Sequence, residues 1–166
     1  MTDYAAVLWD LDGTIVDTEP LWMAAEHALA AEHDAIWTEE DGLALVGNSL
    51  IASGHYIRDK LGIEMSAEDV VGYLVERLTA SLQEHIDWRP GAVELITALE
   101  AEGVPQALVT MSYASIAETV SATLPFAAVV TGDAVSRPKP HPDPYLLAAE
   151  LLGVDAGECL AIEDCG

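Results

Sequence analysis

The stretch Trp9, Asp10, Leu11, Asp12, Gly13, Thr14 constrains this chain more than any other. The apolar run before it, Tyr4 to Trp9, reads as a buried strand of a parallel sheet. That strand ends on two carboxylates one residue apart. Gly13 lets the backbone turn tightly and Thr14 adds a hydroxyl. Beyond the strand end the chain curls, so Asp10 and Asp12 can aim at one point above the sheet's carboxyl edge. Open α/β sheets bind their ligands at that edge. Two carboxylates so close repel unless a cation sits between them or one of them keeps its proton. Taken alone, the stretch could also be a solvated acidic turn capping a helix.

From Asp17 the pattern turns helical. Pro20 opens a helix that continues from Leu21 to Glu32, and Thr38 caps a second that runs to about Val46 and ends near Gly47 and Asn48. Ile51 to Leu61 forms a third, stopped by Gly62, and Ser66 caps a fourth. In that fourth helix Val70, Val71, Leu74, Leu78 and Leu82 follow the spacing of one buried face. Residues 16–88 thus hold helices and no convincing strand. After Arg89, Pro90 and Gly91 the pattern becomes helix 92–102, strand 106–110, helix 115–123, strand 127–131, helix 143–152 and a last strand from Cys159. Alternation of this kind implies parallel βαβ units. The fold class is α/β. A discontinuous core, 1–15 with 89–166, is interrupted by a helical insertion, 16–88.

Charge narrows the choice of partner. Against 29 acids stand 6 bases, for a formal net charge of −23. Such a surface repels nucleic acid and anionic lipid, so neither is expected as a partner. It also repels an anionic substrate unless a local cation reverses the field. Lys60 and Lys139 are the two lysines. Cys159 and Cys165 lack Cys-x-x-Cys spacing and read as reduced thiols rather than a disulfide or zinc site. No apolar stretch approaches a membrane span and the N-terminus lacks a signal-peptide pattern, so a cytoplasmic setting is expected.

Each strand delivers polar groups at its end. The first gives Asp10 and Asp12, the second Thr110 and then Ser112. The third is followed by Arg137, Pro138, Lys139 and Pro140, and the fourth gives Glu163 and Asp164. Parallel strands bring these ends to one edge. Oxygen-only ligands suit Mg²⁺ shared with phosphate oxygens. A carboxylate can attack phosphorus, and a lysine and a hydroxyl can hold the phosphoryl oxygens. Thr110 alone would be an ordinary strand-end threonine; the order of the four stations gives it weight.

Those stations resemble the motifs of the haloacid dehalogenase superfamily. Asp10 to Thr14 is similar to its first motif, Thr110 to its second, Lys139 before Pro140, His141 and Pro142 to its third, and Glu163 with Asp164 to its fourth. The helical insertion resembles the cap of the branch that holds phosphoglycolate phosphatase and β-phosphoglucomutase. The resemblance implies a Rossmann-like core with an α-helical cap, Asp10 as nucleophile and Asp12 as general acid and base. It implies Mg²⁺ held by Asp10, Asp12, Glu163 and Asp164, with Asp12 contributing its backbone carbonyl. Thr110, Met111 and Lys139 would hold the phosphoryl group. Glu19, Trp22, Gly47, Asn48 and Ser49 are the candidates on the cap side.

The implied activity is Mg²⁺-dependent hydrolysis of a small phosphorylated metabolite, by a monomer or weak homodimer. Two departures count against the alternative of a sugar-phosphate mutase. Trp22 stands where mutases of the branch place a histidine, and Leu50, after Gly47, Asn48 and Ser49, stands where they place an arginine. Asp12 argues against a dehalogenase, whose leaving group needs no proton. A non-catalytic phospho-acceptor or interaction protein is the remaining alternative. The family usually continues past its fourth motif, so a C-terminal part of the core is expected to be missing from these 166 residues. The last strand, Cys159 to Glu163, is apolar enough to be expected inside the complete sheet, beside a strand from residues beyond Gly166; without that strand it becomes an edge.

Overall fold

The computed structural model describes residues 4–45 and 48–164. In chain order its elements are β1 (Ala6–Trp9), α1 (Glu19–Glu32), α2 (Glu39–Leu43), α3 (Leu50–Leu61) and α4 (Ala67–Glu84). Then follow α5 (Ala92–Ala101), β2 (Gln106–Val109), α6 (Ala114–Ser121), β3 (Ala128–Val130), α7 (Asp143–Leu152) and β4 (Cys159–Ile162). The chain divides into two compact units, residues 4–18 with 85–164, and Glu19–Glu84.

The first unit is built on a parallel sheet of strand order β3-β2-β1-β4. The chain steps from β1 to β2 to β3 in one direction, and β4 then lands on the far side of β1. That reversal puts a topological switch point at the carboxyl ends of β1 and β4, where such sheets open a crevice. Trp9 pairs in register with Ile162, so Asp10 and Glu163 leave the sheet at the same level. β1 and β2 are buried along their whole length, flanked on both sides. α7 packs against β1, β2 and β3, and Leu8, Ala107, Val109, Val130 and Ala148 form one apolar cluster there. The buried Gln106 is satisfied at both ends of its amide. Its Oε1 accepts from Trp9 Nε1 at 3.0 Å, and its Nε2 donates to the Ile96 carbonyl at 2.9 Å.

Within the described sheet β4 pairs with β1, and Ala161 within it is exposed. The helical stretch 16–88 also opens and closes on an extended contact. Val16 bridges Trp88, Asp17 N–H donates to the Asp87 carbonyl at 3.0 Å and Arg89 N–H to the Ile15 carbonyl at 2.8 Å.

The second unit contains helices α1 to α4. Val70, Val71, Leu74, Leu78 and Leu82 are all buried along α4. Ala25, Leu29, Trp37, Ile57, Val70 and Leu74 share one core. α3 runs so close to the start of α4 that a β-carbon on Gly54 would stand 2.5 Å from the Ala67 carbonyl oxygen. Thr38 caps α2 reciprocally with Asp41, and Asp41 also holds the Lys60 ammonium at 2.7 Å. Hydrogen bonds from Lys60 and then Thr38 draw the Asp41 carboxyl down to about 2. Glu26 is buried in α1 and accepts from Trp37 Nε1 at 3.1 Å, and its burial pushes its carboxyl up to about 7. Among the described residues no helix is long and apolar enough to cross a membrane.

Candidate active site

Asp10 sits one residue beyond β1, and its N–H donates to the Ile162 carbonyl at 2.9 Å, which extends the ladder under it. Only 7% of the residue is exposed. Lys139 Nζ donates to Asp10 Oδ1 at 2.8 Å and Thr14 Oγ1 to Oδ2 at 3.2 Å. Burial pushes the Asp10 carboxyl up to about 6 against the pull of the Lys139 ammonium, and the charges of Glu163 and Asp12 push the same way. Desolvation wins, but the lysine keeps the carboxylate accessible near neutral pH.

Lys139 is held from three sides. Its Nζ reaches Glu163 Oε1 at 2.7 Å as well as Asp10, and it lies 5.1 Å from the centre of the Tyr145 ring. Its backbone N–H points at Met111 Sδ, 3.2 Å away. Met111 itself lies in the loop after β2, where a β-carbon on Gly132 would collide with its carbonyl. The loop after β3 therefore needs glycine at that position to lie against the loop after β2.

Asp12 faces a different set of groups. Thr18 Oγ1 donates to its Oδ1 at 2.7 Å, while Ser112 Oγ at 2.7 Å and Thr110 Oγ1 at 3.3 Å donate to Oδ2. Thr110 Oγ1 in turn accepts from Ser112 N–H at 2.9 Å. Thr18, Thr110 and Ser112 are all buried. The sequence points to Thr110 here, gives Thr18 no part and marks Ser112 only as a polar residue past β2. Hydroxyls are too common for spacing to single them out; Ser112 lies just past the end of β2, whereas Thr18, immediately before α1, carries no local signal.

Oxygens of Asp10, Glu163 and Asp164 all lie within 4.8 Å of one another. Three hard, anionic oxygen donors at one sheet edge fit Mg²⁺ and exclude a metal that prefers nitrogen or sulfur. Asp164 reaches this position beside Gly13, whose φ of +77° is one that a side chain disfavours. The residues expected on the helical side have local roles. Trp22 packs on the apolar core of the second unit and Glu19 begins α1. Ser49 caps α3, accepting from Ala52 N–H at 3.4 Å, and Asn48 Nδ2 donates to the Ala44 carbonyl at 3.1 Å. Gly47 and Cys165 lie outside the described residues.

Comparison with known proteins agrees with this geometry. Hexitol phosphatase A of Escherichia coli is 37% identical over 162 residues, covering 95% of this chain and 73% of that protein. Phosphoglycolate phosphatase of Shigella boydii is 30% identical, covering 98% of this chain and 74% of the relative. The crystal structure of CbbY from Rhodobacter sphaeroides in complex with phosphate superposes with a TM-score of 0.84 at 28% identity, over 97% of this chain and 78% of that one. The haloacid dehalogenase-like hydrolase family matches residues 4–166. With its four motif stations gathered at one edge of a parallel sheet, the chain belongs to the haloacid dehalogenase-like hydrolases, as an enzyme of their phosphatase branch.

Proposed function

We propose that the chain hydrolyses phosphate monoesters of small metabolites through a phosphorylated Asp10, with Mg²⁺ as cofactor. The observation that carries this reading is the pairing of a buried Asp10 on Lys139 with an Asp12 that is held apart on hydroxyls. One carboxylate is poised to attack, while the other is placed to handle a proton. Asp10 Oδ bonds to phosphorus as the ester P–O bond breaks, and Asp12 gives its proton to the departing oxygen. Water then attacks the same phosphorus, Asp12 takes its proton, phosphate leaves and Asp10 is restored. Lys139, Thr110 and the Met111 loop hold the phosphoryl oxygens in line. Asp10, Glu163 and Asp164, with the Asp12 carbonyl, would hold Mg²⁺, which when bound offsets the negative charge of the phosphoryl group.

In this reading the helical insertion, residues 16–88, is the cap that selects the ester, with Glu19, Trp22, Gly47, Asn48 and Ser49 as its candidate contributors. The setting is the cytoplasm and the protein acts as a monomer or weak homodimer. The test is phosphoenzyme analysis with p-nitrophenyl phosphate and Mg²⁺. Asp10→Asn should form no phosphoenzyme. Asp12→Asn should form it slowly and hydrolyse it poorly, since proton transfer contributes ~10²–10⁴-fold. Equal, mild losses in both variants would overturn the assignment, and a wild-type phosphoenzyme that persists for minutes would favour a phospho-acceptor instead.

A further inference from the structure

Lys139 has two ends to place. Its ammonium is met by Asp10 and Glu163, at 2.8 and 2.7 Å. Its backbone rides in a loop with few means of holding on. Pro138 and Pro140 on either side carry no N–H, so Lys139 supplies the one main-chain donor of that run. Both prolines are exposed, so burial does not pin them. The bonds around them stay local: His141 N–H returns to the Pro138 carbonyl at 2.9 Å, and Arg137 grips Asp143 through two bonds of 2.6 and 3.0 Å. The Lys139 N–H crosses instead to the loop after β2, to Met111 Sδ at 3.2 Å. Met111 is itself held in place. Thr110 before it is buried, and the carbonyl of Ser112 after it accepts from Gly132 N–H at 3.1 Å. A thioether is a weak acceptor, but a part-buried N–H left with none is costly.

We propose that the Met111 side chain is a positioning residue. Its sulfur anchors the backbone of Lys139 and so sets where the ammonium stands before Asp10. The sulfur touches no reacting atom and acts through the lysine, separately from any part that the main chain around Met111 takes in holding a phosphoryl group. Its effect on turnover rests on the phosphomonoesterase reading; the anchoring itself does not. Leucine at this position would fill about the same space and offer no lone pair. Glutamine would bring a carbonyl oxygen on a chain of similar length. The two substitutions therefore separate the acceptor from the packing.

Kinetics and NMR on the full chain test this. With p-nitrophenyl phosphate and Mg²⁺, Met111→Leu should lose about fivefold or more in kcat, and Met111→Gln should recover most of that loss. Amide hydrogen exchange should run about fivefold or more faster at Lys139 N–H in Met111→Leu than in wild type, and slow again in Met111→Gln. In the wild-type chain a nuclear Overhauser contact should join Lys139 N–H to the Met111 ε-methyl group, which reads the anchor even where a variant does not fold. Absence of that contact overturns the proposal, as does an exchange rate that Met111→Leu leaves unchanged. So does an undiminished kcat in Met111→Leu, or an equal loss in both variants, which would be packing rather than the lone pair. If the wild-type chain turns over no p-nitrophenyl phosphate, the phosphatase reading falls. The exchange rates and the Overhauser contact then decide the anchor alone.

Discussion

Gly13 and Asp164 touch across the switch point: a β-carbon on the glycine would stand 2.8 Å from Asp164 Oδ2. The first motif thus makes room for the last. Gly13→Ala meets both this clash and a φ of +77°, which costs a side chain roughly 1–2 kcal/mol. The expected outcome is a chain that still unfolds cooperatively but loses most of its rise in melting temperature with Mg²⁺. Its kcat should fall at least about tenfold, one RT ln 10 of transition-state stabilisation. Thermal denaturation with and without Mg²⁺ checks this; a full Mg²⁺ response in the variant would sever the link between Gly13 and metal binding.

Ser112→Ala and Thr18→Val each remove one hydroxyl from Asp12. A hydrogen bond to a charged group is worth ~1.5–3 kcal/mol, so each variant should lose ~10–100-fold in kcat. The loss should be large for alkyl phosphates, whose leaving oxygen needs a proton, and small for p-nitrophenyl phosphate, whose leaving group does not. Equal losses on both ester types would mean that the hydroxyls serve packing rather than the proton donor.

Glu26 makes the helical unit sensitive to pH. Its carboxyl is raised from an ordinary 4.5 to about 7, so the fold favours the protonated form. That contribution is complete below about 4.5, falls as pH rises through the window to about 7, and is lost above it. Glu26→Gln keeps an acceptor for Trp37 without the charge. It should be more stable than wild type at pH 8 by ~1–3 kcal/mol and nearly equal to it at pH 4.5. Denaturant midpoints across pH give the two curves, and parallel curves would clear Glu26 of this role.

Two glycines of the helical unit should respond in opposite directions. Gly72 in α4 has nothing within 4 Å of where a β-carbon would lie, whereas Gly54 in α3 faces the Ala67 carbonyl at 2.5 Å and Val71 Cγ2 at 3.0 Å. Gly72→Ala should stabilise by ~0.5–1 kcal/mol, the usual gain in a helix interior. Gly54→Ala should destabilise by ~1–3 kcal/mol, because backbone on a packed helix yields poorly. Urea midpoints for the two variants settle the signs.

Much of the site was legible because its residues ride on strand ends. Asp10, Thr110 and Glu163 each follow an apolar run and Lys139 lies in the loop after another, and parallel strands leave few other places for what comes next. The apolar spacing in α4 was equally legible, since a long periodic face has one way to be buried. What stayed hidden depends on contacts distant in sequence. Nothing local in Thr18 points to Asp12. The bridge of Val16 to Trp88 joins single residues that no pattern could pair.

Thr18, Thr110 and Ser112 each donate a hydroxyl to Asp12, which carries a consequence for the direction of proton flow. An amide N–H can only give, so a carboxylate surrounded by amides is fixed as an anion. A hydroxyl gives or receives according to the rotation of one bond. Thr18, Thr110 and Ser112 can each turn a lone pair toward Asp12 when it carries a proton, and turn back when the proton has gone. These three contacts are therefore reversible by rotation alone, which suits the proposed role of Asp12 as acid in the first half of a turnover and as base in the second.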